Sequence, residues 1–413
     1  MPSGTISRPV ALAAMGVSLA AGCLQPFMVS LVGRMPLSEV LFLLVTAFAM
    51  VAFCMDARAI NILPAPRLLL MLLVCVAVSF AGYVFADFYR MTELRDLMRG
   101  WARLAFLIVD LIAVAILIGL SKHSLPLYQC GLAAGSVVYV LVFGPLLGEY
   151  WKFGYAVPVT LLLLLVAPFI GTWAVELALA GIGLLHLWLD YRSMGGCCLL
   201  AASLLLVTRL PARLRRWAVP AVAIAAVMGV LLLYQVAGTE GTRRTTQSNI
   251  DRSAMAAAAW EAALASPLIG QGSWFSRSKV FDTYFEMRYQ ESRMSGGRGV
   301  DRSGDFEGVA IHSQILSSVA EAGIFGVCFF VVYGVLLVWA IWDFSAGKTA
   351  DRFTGLWIFV LVCAFWDLWM SPFSGQARAL ISVASGLILL RWQERPRAQT
   401  LRNVPRPRAL AMP

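Results

Sequence analysis

Residues 101–121 read WARLAFLIVDLIAVAILIGLS, an apolar run broken by two charges only, Arg103 and Asp110. Wound as an α-helix, a run of this length rises about 30 Å, the thickness of the hydrocarbon core of a bilayer. Its apolar residues are continuous and do not alternate with polar ones, so it is not the pattern of a barrel strand. The stretch reads as a transmembrane helix. Eleven further apolar stretches extend the reading, near residues 10–32, 37–55, 67–86, 127–148, 154–170, 173–189, 196–208, 217–236, 313–340, 354–371 and 375–392. The chain has 413 residues, 60% hydrophobic and 14% charged, more apolar surface than a soluble domain of that length can enclose. The expected fold is an all-α polytopic membrane protein with about twelve transmembrane helices.

The distribution of Lys and Arg sets the orientation. With the N-terminus inside, the inner side holds the basic cluster in TRLPARLRRW, residues 208–217, and the basic tail beyond residue 392. The segment between the ninth and tenth spans then faces outward. The chain divides accordingly into spans one to nine (1–236), a large outer loop containing helices (237–311), spans ten to twelve (312–392) and a basic inner tail (393–413), Pro-rich and expected to be disordered. The first run lacks a small-residue cleavage site and is interrupted by Gln25-Pro26, so it reads as a retained span. The net charge of +10 is mostly inner-side bias, with anionic membrane lipid as its partner; no nucleic-acid module is present. All eight cysteines lie in apolar runs, which implies no disulfide framework and no metal knuckle.

No inner loop is long enough to fold a nucleotide-binding domain, and the chain has neither a Gly-x-x-x-x-Gly-Lys-Ser loop nor an Asp-x-Asp pair. Direct use of ATP or a nucleotide sugar is disfavoured, and any chemistry belongs to the outer face. The outer loop balances its basic residues with acidic ones, so single arginines matter more there than net charge. NIDRSAMAAAAWEAALASP, residues 249–267, reads as a helix capped by Asp251 and stopped by Ser266-Pro267. SRSKVFDTYFEMRYQESRM, residues 276–294, reads as a second helix with an aromatic stripe. SGGRGVDRSGDFEG, residues 295–308, has five glycines and reads as a mobile lid.

That lid leads into His312, one of only three histidines, with Ser313 and Gln314 beside it. An imidazole at the membrane boundary is suited to proton transfer near neutral pH. Glu321 lies nine residues on, about 13.5 Å along the axis and half a turn away, too far to orient the imidazole. It is expected to make a polar contact within the bundle, while Gly323 and Gly326 suit close helix approach. Arginines gather on the same side. Arg192 follows Asp190 at the end of the seventh span, with His186 just below. Arg252 opens the loop helix, and in DFYRMTELRDLMRG, residues 87–100, Arg95 and Arg99 stand four apart, with Arg103 a turn further. The guanidinium fork suits phosphate oxygens. Asp87, Glu93 and Asp96 interleave with these arginines, so some of them form internal ion pairs. Headgroup anchoring is the preferred reading for Arg34, Lys152 and Arg378. Asp110 lies mid-span, where a carboxylate is costly and defaults either to function or to a bond between helices; Asp367 lies near the outer end of the eleventh span.

AIHSQILSSVAEAGIFG, residues 310–326, resembles the His-Asn/Ser-x-x-Leu…Glu-x-Gly-x-x-Gly signature of the O-antigen ligase and polymerase superfamily. DRSAMAAAAWEAALASPLIGQG, residues 251–272, resembles the Arg…Trp…Pro-x-x-Gly-x-Gly element of its outer loop. Tyr191-Arg192-Ser193 stands where the family more often has Ser-Arg-Gly. Within the superfamily the O-antigen ligases are resembled most. The resemblance implies an inverting glycosyltransferase without metal or other cofactor, at the periplasmic face of the bacterial inner membrane. Its donor would be O-antigen linked to undecaprenyl pyrophosphate and its acceptor the lipid A–core oligosaccharide. In that reading His312 is the base, Arg192 and Arg252 clamp the pyrophosphate with Arg95 or Arg99 assisting, and Ser313 and Gln314 belong to the binding surface. An O-antigen polymerase or a protein O-oligosaccharyltransferase shares the motif; the latter often carries outer sequence after its last spans, where this chain has a basic tail. A transporter of polyprenyl-linked glycan would instead use Asp110 and Glu176, but the two halves show no internal repeat.

Overall fold

The computed structural model describes residues 6–30, 34–145, 149–171, 173–240, 243–275, 311–346 and 351–403. Helices occupy every apolar stretch named above. In order they are α1 (Arg8–Leu24), α2 (Leu37–Met55), α3 (Pro66–Arg90), α4 (Leu94–Leu120), α5 (Ser124–Phe143), α6 (Ala156–Val166), α7 (Ala174–Trp188), α8 (Arg192–Val207) and α9 (Ala212–Glu240). After α10 (Arg243–Ala265) come α11 (Gln314–Gly326), α12 (Cys328–Ala346), α13 (Thr354–Met370) and α14 (Gly375–Asn403). Among the described residues six helical segments are long and apolar enough to cross a membrane: α2, α3, α4, α5, Trp151–Phe169 and α12. Four shorter apolar helices, α1, α7, α8 and α13, accompany them. Large apolar side chains cover the outside, among them Phe48, Leu141 and Val335 at 75%, 70% and 65% exposed. Such a surface is stable only in lipid. The chain is an all-α protein of membrane character.

The one sheet among the described residues pairs two three-residue strands antiparallel, β1 (Met28–Ser30) and β2 (Arg34–Pro36), with Met28 opposite Pro36. It turns the chain from α1 into α2. Proline opens α3, and Met91 in the left-handed region closes it, so α3 and α4 form a tight antiparallel pair. Hydroxyls inside the apolar helices mostly bond the carbonyl one turn back, as Ser18 does to Ala14 (2.8 Å) and Thr160 to Ala156 (2.8 Å).

Several expectations change. The stretch 313–340 is two helices, and the first is itself broken at Ala322 (φ −134°) and Gly323 (φ 61°, ψ −155°). The loop helix begins at Arg243 and not at Asp251, because no Gly or Pro interrupts the sequence before Ser266. Arg378 is not a headgroup anchor: it is 4% exposed and its guanidinium binds Glu39 from inside the bundle. The second loop helix, the glycine-rich lid and residues 404–413 of the basic tail lie outside the described residues, while α14 carries the tail as helix to Asn403, where disorder was expected.

Candidate functional site

The two motif segments of the sequence fold onto each other. α10 ends at Ala265, as Ser266-Pro267 require, and the loop 266–275 runs against the break in α11. At that break the carbonyls of Ala320 and Glu321 accept from the backbone N–H of Gln271 (2.8 Å) and Gly272 (2.9 Å), and Ile324 N–H donates back to Pro267 O (2.9 Å). Gly270 and Gly272 have φ of +85° and +89°. A Cβ on Gly270 would sit 2.5 Å from Ala322 N, and one on Gly323 would sit 2.8 Å from Ile269 N. Glycine is needed here for backbone-to-backbone approach as much as for dihedral freedom. Gly323 thus meets a loop and not a helix, whereas Gly326 does meet a helix, beside Gly82 of α3.

Glu321 sits under this clasp. Its Oε2 accepts from Tyr83 OH (2.9 Å) and Arg103 Nη2 (2.6 Å), and its Oε1 from Trp274 N–H (3.0 Å). The polar contact expected of Glu321 is therefore a buried ion pair with α4. Arg103 also lies over the rings of Trp274 (5.0 Å) and Phe373 (5.8 Å). On α3, Asp87 accepts from Ser273 N–H (2.6 Å), Ser273 Oγ–H (2.7 Å) and Trp101 Nε1–H (2.8 Å). Arg90 donates to Gly270 O (2.9 Å) and Ser266 Oγ (2.7 Å). Sequence reading missed the roles of Asp87, Arg90, Ser273 and Trp274, although the interleaved charges of residues 87–100 signalled internal pairing.

A second apolar cluster fixes His312. Ala254, Met255, Ala258, Ala259 and Ala262 make one face of α10 and pack with Phe275, Ile311 and Ala320. Small side chains let α10 approach α11, and Arg252, two residues before that face in mid-helix, comes near enough to act on His312. Burial, and then the Arg252 guanidinium, pull the imidazole below its ordinary value of 6.5. The ring is neutral at pH 7 and free to take a proton. Ser313 is the N-cap of α11, its Oγ accepting from Leu316 N–H (3.2 Å). Gln314 is 1% exposed, and neither atom of its amide has a partner among the described residues. The Trp274 indole N–H is likewise buried and unpaired. Buried donors without partners are costly, and a bound polar ligand would relieve them.

The other candidates are less gathered. Arg99 lies over Trp274 (5.7 Å) with Asp96 at 3.7 Å. Arg95 is exposed in the first turn of α4. Arg192 is exposed at the start of α8 and pairs with Asp190 (3.0 Å); no contact among the described residues joins it to His312. It does open at the same end of the bundle. Its neighbour Tyr191 interacts with Asp367 near the end of α13, and Phe373, just past α13, covers Arg103. His186 is structural: buried, it takes the Trp151 indole N–H on Nδ1 (3.1 Å) and meets Thr160 Oγ1 through Nε2 (2.9 Å). His123 is exposed beside α5. Among the described residues no three His, Cys, Asp or Glu gather as metal ligands. No protein-family model matches the chain, and no curated protein matches it.

Proposed function

We propose that this chain is an inverting, metal-independent glycosyltransferase. It moves O-antigen from undecaprenyl pyrophosphate to a sugar hydroxyl of lipid A–core at the periplasmic face of the bacterial inner membrane. The observation that carries the reading is a neutral imidazole, His312, near enough to the Arg252 guanidinium to feel its charge and two residues ahead of Gln314, whose buried amide has no partner among the described residues.

The chemistry follows from those groups. His312 takes the proton of the acceptor hydroxyl as its oxygen attacks the anomeric carbon. The bond from that carbon to the pyrophosphate oxygen breaks, and the pyrophosphate leaves with the electron pair. Charge growing on it is met by Arg252, with Arg192 and Arg99 reaching from the same end. Attack opposite the leaving group inverts the anomeric centre. The apolar outer surface of the bundle takes the prenyl chain.

His312→Ala in native membranes is expected to abolish transfer at normal protein level, leaving lipid-linked O-antigen to accumulate. Full transfer by that variant removes the base assignment. Purified protein joining donor to acceptor in detergent, where no compartments exist, separates glycan transfer from transport; absence of joining with intact donor supports the transporter.

A further inference from the structure

A second set of polar groups is buried between α1, α2, α4, α5 and α14, apart from His312 and its neighbours. Nearest the His312 end, Arg378 donates through Nε to Glu39 Oε1 (2.9 Å), and both residues are buried. Glu39 Oε2 has no partner among the described residues. Ser382 and Ser385 follow Arg378 by four and seven positions, on one face of α14, and both are 0% exposed. Their hydroxyls have no partner among the described residues, whereas Ser18, Ser203 and Ser318 each bond the carbonyl four residues back. Deeper still is Asp110. Thr46 Oγ1 bonds Val109 O (3.2 Å), which sets Asp110 seven residues along α2 from Glu39, about 10 Å further into the bundle. Asp110 is 0% exposed and neither carboxyl oxygen has a partner among the described residues. Past it, a cavity of about 10 Å³ bordered by Ser18, Val114, Ser124 and Tyr128 has room for roughly one water.

Charge balance decides what occupies Asp110. Among the described residues the charged and titratable groups around it are Glu39 on α2, Arg378 on α14 and Tyr128 on α5; α1 contributes the neutral Ser18, and Gln25 just past its end is neutral too. Glu39 and Arg378 cancel. An ionised Asp110 would be a bare charge in the membrane interior, without a hydrogen bond to either oxygen. Neutralisation by a metal cation needs several oxygens and room for the ion, and Arg378 repels it. A proton needs neither.

We propose that Asp110 is a proton-binding site, buried in the bundle interior beyond the Glu39–Arg378 pair and backed by a single water on its far side. Loading is a simple equilibrium: a solvent proton forms an O–H bond at one Asp110 oxygen and the carboxylate becomes a neutral acid. The site is independent of glycan transfer.

Dicyclohexylcarbodiimide, an apolar reagent that adds to protonated carboxyls within hydrocarbon, tests this on the full chain in liposomes of phosphatidylethanolamine and phosphatidylglycerol. Peptide mapping of the wild-type protein at pH 7 is expected to find the adduct on Asp110, and sodium chloride in place of potassium chloride is expected to leave its yield unchanged. Infrared difference spectra between wild type and Asp110→Asn, a change that keeps shape, are expected to show loss of a carboxylic-acid carbonyl band. A carboxylate band in that difference, or protection of Asp110 by sodium, overturns the proposal. No adduct on Asp110 overturns it as well.

Discussion

At the residue scale His312 and Glu321 divide the work of one helix. His312 stands ahead of α11, where burial and Arg252 hold its pKa below 6.5. A base with a depressed pKa keeps its lone pair as pH falls, and is protonated only once pH passes through the lowered value. Transfer that depends on His312 is therefore expected to stay level between pH 8 and 6.5 and to fall only below that, and a fall already half complete at pH 7 contradicts the assignment. His312→Ala at the same pH series separates this limb from other titrations. Glu321, nine residues on, is fully engaged by Tyr83, Arg103 and Trp274. Removing one partner of a buried ion pair leaves an uncompensated charge, so Glu321→Ala is expected to destabilise the protein by about 3–5 kcal/mol. Thermal unfolding in detergent measures it. Adding Arg103→Met to Glu321→Ala should recover part of that loss, because the orphaned guanidinium is gone.

At the scale of elements, what the sequence made legible depended on how local the cause was. Apolar runs predict helices because burial and backbone hydrogen bonding are satisfied within the segment itself, and α2 matches its expected limits, 37–55. Ser266-Pro267 stop α10 for equally local reasons. The break in α11 is different. It exists because Gln271 and Gly272, some fifty residues earlier, supply donors to the carbonyls that the break frees. Nothing in residues 313–340 alone announces that, and the Glu-x-Gly spacing read as helix packing. Arg378 was misread for the same reason, its partner Glu39 lying 339 residues away. The clasp makes a testable demand. Gly323 has a φ/ψ pair that side chains avoid, and the site has no space for a Cβ, so Gly323→Ala is expected to cost about 1–3 kcal/mol. Because the same contact holds the α10 loop to α11, protease cleavage within residues 266–275 should rise more than the change in global stability explains. Equal cleavage of wild type and variant at matched stability would show the loop is held elsewhere.

For the whole molecule, one end of the bundle carries the clasp, His312 and the opening of α8. At the other end, the turn between α4 and α5 carries Lys122, the turn between α8 and α9 carries Arg209, and the first turn of α9 carries Arg213, Arg215 and Arg216. Antiparallel α3 and α4 make these ends opposite: the α3–α4 turn at residues 91–93 lies with the clasp, through Asp87 and Arg90, and the turn after Leu120 lies a helix length away, about 40 Å for the 27 residues of α4. If positive charge keeps its usual side, the clasp faces the periplasm. An added thiol at each turn decides. Glu93→Cys, an exposed position, should react in intact cells with a maleimide that cannot cross the inner membrane, and Lys122→Cys should react only after that membrane is permeabilised. The eight native cysteines provide the background to subtract. Reaction at Lys122→Cys and not at Glu93→Cys would turn the molecule over, leaving His312 on the side where nucleotide-linked donors are found and removing the lipid-linked donor from the proposal.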